Sequence, residues 1–252
     1  LPALADSPRM NTSRWVVLPR IVDFTSNCVS QGASGKSFVD TLASRERTRY
    51  RQDVRKYSEI GDLALDEAFT VEEALAYLDA LAVLHQRTWT SRGLPGSFAS
   101  SMFHDFHRRL IARCFPLGRV QLVRLRAGET TVGYHYNFVH DRRSYFYQCG
   151  YDYAVGEKLS PGLMVHGFAI ERALQTDLAD YEFMAGDVEY KRRLGNDSRS
   201  MHWLTWQAST MKMRGYEVAR QAKRAVRERS LELRATMAGS LRGLVAPLRG
   251  NG

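Results

Sequence analysis

Hydrophobic positions along the chain change period several times, and each change marks an element. Leu75, Leu78, Ala82, His85 and Trp89 recur at helical spacing, and Met102, Phe103, Phe106 and Leu110 do so again within residues 98–114. Thr70-Val71-Glu72-Glu73 opens the first helix as a capping box, and Arg92-Gly93-Leu94-Pro95-Gly96 separates the two. Beyond Pro116 the alternation becomes that of strands over 119–126, 130–139 and 144–150, with connections short enough for antiparallel hairpins. A helix over 159–176, a short buried strand over 181–184, a short helix bearing Tyr190 and a strand over 202–206 follow. Upstream, 63–69 reads as a strand and 37–57 as a basic helix that Gly61 closes. Residues 1–35 hold no sustained period beyond a short strand at Trp15–Leu18. The predicted class is α/β, with a mostly antiparallel central sheet flanked by helices rather than a doubly wound one.

Composition narrows this picture. The chain has 252 residues, 44% of them hydrophobic, enough for a substantial core. No stretch approaches the length of an apolar membrane span, and the N-terminus lacks the order of a secretory signal. Cys28, Cys114 and Cys149 are widely spaced and odd in number, which suits a reducing compartment; the expected location is cytoplasmic. Net charge is +9 but uneven: residues 212–252 carry ten Lys/Arg against three Glu, and 36–56 carry seven against three acidic residues, leaving the middle near neutral. That distribution argues against a protein built throughout to coat nucleic acid. It suggests three regions: 1–57, a connector and basic helix read as the remnant of a preceding half; 58–211, the core; and 212–252, a basic helical tail.

Two short motifs invite a phosphate. Gly35-Lys36-Ser37 ends like a P-loop, but Ser30 stands where the leading glycine belongs, and residues 21–28 are too broken and polar for a central parallel strand; a connector with Ser37 as helix cap is the better reading. Ser160-Pro161-Gly162 is more informative: an N-cap serine, proline at the first helical position, then glycine. The N–H groups of Gly162, Leu163 and Met164 are expected to point out of the helix, where the dipole favours an anion.

Four segments, in this order, resemble the core of the GNAT acyltransferases: Leu84-His85 to Trp89; Tyr147-Gln148-Cys149-Gly150-Tyr151-Asp152; Ser160-Pro161-Gly162; and residues 182–191. The wording is similar to the CelD-like acetyltransferase branch and, more remotely, to the Fem-type aminoacyltransferases. The resemblance covers roughly residues 60–210. Glu182 stands where that branch usually has Asp, Ala185 where a basic residue is common, and Val188-Glu189 where Glu-Pro is usual. The Arg/Gln-x-x-Gly-x-Gly/Ala loop is approximated only by Gly156, Lys158 and Gly162.

The resemblance implies an N-acyltransferase that takes acetyl-CoA or another acyl-CoA as co-substrate, with no metal, and moves the acyl group by direct attack of an amine borne by a small molecule, saccharide or peptide. Lys158, Ser160, Gly162, Leu163 and Met164 would hold the donor's diphosphate, and Asp152 and Trp89 would shape the substrate pocket. Glu182 or Asp187 would act as base and Tyr190 as acid to the leaving thiolate, while Lys191 would neutralise a phosphate or the oxyanion. Asp152 and Asp187 also suit an Asx turn and a helix cap. His104 and His107, three apart, read as a solvated helix face rather than a metal site, and His85 as a core histidine. Two other readings stay open: an aminoacyl-tRNA donor, prompted by the basic flanks, and a silent module whose tail, with Met237, Leu241 and Leu244 against Arg234 and Arg242, touches a membrane surface or a partner.

Overall fold

The computed structural model describes residues 15–18, 23–30, 37–156, 159–176, 178–186, 188–202, 205–208, 210–216, 218–223, 225, 226 and 229. Gly35, Lys36, Lys158, Asp187 and the stripe of Met237, Leu241 and Leu244 lie outside the described residues. In chain order the elements are β1 (Trp15–Leu18), β2 (Asp23–Ser30), α1 (Phe38–Thr41), α2 (Ser44–Ser58), β3 (Leu63–Glu67), α3 (Val71–Ser91), α4 (Ser101–Cys114), β4 (Val120–Ala127), β5 (Thr130–His140), β6 (Arg143–Tyr151), α5 (Pro161–Gln175), β7 (Asp180–Glu182), α6 (Glu189–Leu194), β8 (Asp197–His202) and β9 (Thr205–Ala208). Two compact units result. One comprises residues 1–22 and 202–252 and contains the antiparallel β1–β9 pair; the other is Asp23–Met201.

The larger unit is built on a seven-stranded sheet in the order β3-β4-β5-β6-β7-β2-β8. β3–β4, β4–β5, β5–β6 and β7–β2 pair antiparallel and β6–β7 pairs parallel, so the mostly antiparallel sheet expected from the alternation is present. The meander β4-β5-β6 forms where the period-two pattern predicted it, and β3 joins its outer edge. The capping box at Thr70 is realised in both directions: Thr70 Oγ1 accepts from Glu73 N at 3.1 Å, and Glu73 Oε2 accepts from Thr70 N at 3.3 Å.

Both faces of the sheet are covered. Leu78, Leu81 and Ile111 of α3 and α4 pack with Val120, Leu122 and Tyr136 on one side; Tyr50, Tyr57, Met164 and Ile170 of α2 and α5 pack with Val123, Leu125 and Val132 on the other. Three expectations are corrected. Residues 23–30 form a strand after all, antiparallel to β7 and inserted between β7 and β8, because pairing with segments 150 or more residues away outweighs their broken local pattern. The basic helix is two, divided at Leu42-Ala43. On α4, Met102 and Phe106 are 79% and 57% exposed, and the buried stripe is His107 and Ile111 instead. Thus His107 does not sit on a solvated face: its Nδ1 meets Tyr136 Oη at 3.3 Å and its Nε2 meets Tyr147 Oη at 3.1 Å.

Candidate functional site

The site begins with a divergence of two strands. β6 and β7 run parallel but pair only through Arg143–Tyr145 against Asp180–Glu182; β7 then ends while β6 continues to Tyr151. From Phe146 onward β6 therefore turns one edge, with its alternating main-chain N–H and C=O groups, into a wedge. A cleft of about 740 Å³ occupies this wedge, lined by Cys149, Gly150 and Tyr151 of β6, the start of α5, Tyr190 of α6 and residues of α2 and α3.

The wall from α3 holds Trp89 and His85. His85 Nε2 accepts from Ser97 N at 3.3 Å, so the ring proton sits on Nδ1, which donates to Cys149 O at 3.1 Å. Both nitrogens are engaged and burial lowers the pKa, so this neutral imidazole holds the wall and is unsuited to be a base, in line with the core histidine expected. Gly150 permits the close approach of α3 to β6, because a Cβ there would lie 2.4 Å from Leu81 O. Burial pushes the Cys149 thiol up to about 11, away from nucleophilic use.

At the opposite wall, α5 opens toward the cleft with Ser160, Pro161, Gly162 and Leu163. Two details differ from the sequence expectation. Ser160 makes no side-chain cap; its Oγ accepts from Arg49, at 3.1 Å from Nε and 2.6 Å from Nη2. Met164 N is not free either, since it donates to Ser160 O at 3.1 Å, and its side chain is fully buried. Among the described residues, Gly162 N and Leu163 N have no main-chain acceptor, so these are the first-turn N–H groups left to a ligand, flanked by the Arg49 guanidinium. Arg92 and Arg193 also line the cleft, which among the described residues gives it three arginines.

The expected acid–base residues separate. Tyr190 stands in the cleft, 39% exposed, its ring 5.6 Å from that of His166, and burial raises its pKa. Glu182 is buried outside the cleft and bound to Arg199 at 2.7 Å; the same Arg199 nitrogen bonds Asp180 at 2.7 Å. Lys191 is buried too, with Nζ donating to Ala185 O at 2.6 Å and Met184 O at 3.4 Å; it thereby holds a bend in which Met184 and Gly186 have φ of 60° and 101°. Asp152 Oδ1 accepts from Arg87 Nη2 at 2.6 Å and from Ala154 N at 2.9 Å, the Asx turn anticipated as its alternative. Among the described residues lining the cleft, Glu46 of α2 is the one carboxylate; its side chain is 12% exposed and lies 3.4 Å from Arg193.

Sequence reasoning missed Glu46 and Arg49, which come from the basic helix rather than from the four recognised segments. Their spacing of three on an arginine-rich helix was the available signal. Among the described residues there is no cluster of His, Cys, Asp and Glu that could hold a metal ion, and no helix long and apolar enough to cross a membrane.

Comparison with known proteins places this geometry. A search of curated proteins found no match. Among solved structures, FemX superposes with a TM-score of 0.56 at 8% identity, over 77% of this chain and 63% of FemX. L-PGS from Bacillus licheniformis gives a TM-score of 0.41 at 11% identity over 70% of this chain and 47% of its own, and a GCN5-related N-acetyltransferase from Kribbella flavida gives 0.35 at 12% over 77% and 59%. At such identities the FemX likeness is one of fold, and this chain spans less than two thirds of FemX's length. The family model for the acetyltransferase (GNAT) domain matches residues 44–192, a span that begins at α2, ends in α6 and contains the cleft lining except Arg193 and Leu194. The chain belongs to the GNAT acetyltransferase domain family.

Proposed function

We propose that the cleft transfers an acyl group from a phosphate-bearing thioester, acyl-CoA, to an amine on a small molecule, saccharide or peptide. The observation that carries this reading is the convergence of Arg49 with the N-terminus of α5, beside the edge of β6 that β7 leaves without a strand partner, in one cleft. Two first-turn N–H groups and a guanidinium suit a diphosphate, and a strand edge suits the amide-rich arm that links it to the thioester.

The chemistry then needs three groups. Glu46 takes one proton from the ammonium. The freed amine attacks the thioester carbonyl, forming the C–N bond, and main-chain N–H groups of the β6 edge stabilise the oxyanion. As the C–S bond breaks, Tyr190 gives its proton to the sulfur, and the second proton leaving nitrogen restores the phenol. Thiol release from acetyl-CoA across a panel of amines tests the reading; acceleration lost in Glu46→Gln supports it, and no amine-dependent release contradicts it.

A second reading changes the donor to aminoacyl-tRNA. Arg45, Arg49, Arg51, Arg55 and Lys56 make an exposed basic ridge along α2 that begins at the cleft. Retention on tRNA that weakens steeply with salt, together with transfer of a labelled amino acid, would favour it over acyl-CoA.

A further inference from the structure

Beneath the cleft, four side chains from four elements close a ring of hydrogen bonds. Tyr151 Oη of β6 lies 2.8 Å from His135 Nε2 of β5 and 3.3 Å from His166 Nε2 of α5. Tyr181 Oη of β7 lies 3.2 Å from His135 Nδ1 and 3.3 Å from His166 Nδ1. Each phenol touches both imidazoles and each imidazole both phenols. His135, His166 and Tyr181 are buried, and only Tyr151 and His166 reach the cleft lining.

Counting protons fixes how the ring is wired. A neutral imidazole has one donor and one acceptor nitrogen, and a phenol has one donor hydrogen. Two of each supply four hydrogens for four bonds. All four bonds form only when every member donates in the same rotational sense. One sense puts the protons on His135 Nδ1 and His166 Nε2; the other puts them on His135 Nε2 and His166 Nδ1. Two like tautomers would leave one phenol hydrogen and one ring nitrogen unmatched in the interior, which is costly.

The surroundings keep the ring uncharged. Phe146 and Phe183 pack on the imidazoles, Tyr190 lies against His166, and Cys149 neighbours Tyr151. Lys191 sets an ammonium near His166, which opposes a second positive charge there.

The ring also spans the place where the sheet parts. β6 and β7 share three paired positions at one end, and Tyr151 lies at the far end of β6. Through His135 and His166 it is tied to Tyr181 on β7.

We infer that His135, Tyr151, His166 and Tyr181 form a one-directional, charge-neutral hydrogen-bond ring that braces the divergence of β6 from β7 and so sets the width of the cleft. These are positioning residues. His166, although it faces the cleft, has both nitrogens engaged in the ring and supplies no base.

Two measurements test this, and neither needs a donor or acceptor, so their failure is distinct from failure of the acyl-transfer reading. Long-range ¹H–¹⁵N spectra of the ¹⁵N-histidine-labelled chain between pH 8 and 5 should show His135 and His166 neutral and in opposite tautomers. Like tautomers, or an imidazolium signal from either above pH 5, would overturn the ring. Tyr181→Phe keeps the buried shape and removes two of the four bonds. Alkylation of Cys149 by iodoacetamide, followed by peptide mass, should then rise roughly tenfold to a hundredfold, the weight of the two lost buried hydrogen bonds; an unchanged rate would overturn the brace.

Discussion

Arg49 donates to Ser160 Oγ through both Nε and Nη2, joining the basic helix α2 to the first turn of α5 at the mouth of the cleft. Five guanidinium N–H groups are available and two are used here, so the residue can hold Ser160 and still face a phosphate. Arg49→Ala should weaken CoA binding about tenfold, a modest figure because Arg49 is exposed and screened by salt, and should flatten its salt dependence. Calorimetric titration at two ionic strengths checks both.

Glu46→Gln removes the carboxylate from the cleft while keeping its shape. Transfer should fall about 10²-fold to 10⁴-fold, with CoA affinity nearly unchanged. Glu182→Gln should act differently, because Glu182 is buried against Arg199: its main effect should be a lower melting temperature. Steady-state kinetics beside thermal melts separates the two outcomes.

Acid should destabilise the fold before it ionises the ring. Burial, reinforced by the Lys191 ammonium, lowers His166 to about 3, and burial lowers His135 as well; unfolded histidine titrates near 6.5. The folded state therefore binds fewer protons than the unfolded chain between these values. Stability should be full above about pH 6.5 and fall as pH drops toward about 3. Denaturant melts at pH 8, 6 and 4.5 test this, and a midpoint that rises on acidification would contradict it.

Gly150→Ala should cost about 1–3 kcal/mol, since the added Cβ would press on Leu81 O of α3 at 2.4 Å and force the helix from the strand. The same change at Gly118, with nothing within 4 Å, meets no such clash and is disfavoured only by its φ of 63°. Chemical denaturation of the two variants gives the comparison.

Local chemistry made much of this legible in the sequence. Thr70 with Glu73 announces the start of α3, Pro161 the start of α5, and strict alternation the three strands of the meander, because each depends on neighbours a few residues away. What stayed hidden depends on distant partners. β2 becomes a strand by lying between β7 and β8; Glu182 loses its place at the cleft because Arg199 holds it; Met102 gives up burial to His107 because Tyr136 and Tyr147 receive the imidazole. The Tyr–His ring draws on four elements, and no one of the four residues reveals it from its own segment. Trp89, Gly162 and Tyr190 are legible in the sequence and line the cleft, whereas Glu46 and Arg49 emerge only when α2 folds against α5.

Co-crystallisation with CoA is the decisive measurement. The diphosphate should lie within hydrogen-bond distance of Gly162 N, Leu163 N and the Arg49 guanidinium, with the thiol arm along the β6 edge between Trp89 and Tyr190. CoA bound elsewhere, or a cleft left empty at millimolar CoA, would contradict the acyl-CoA reading.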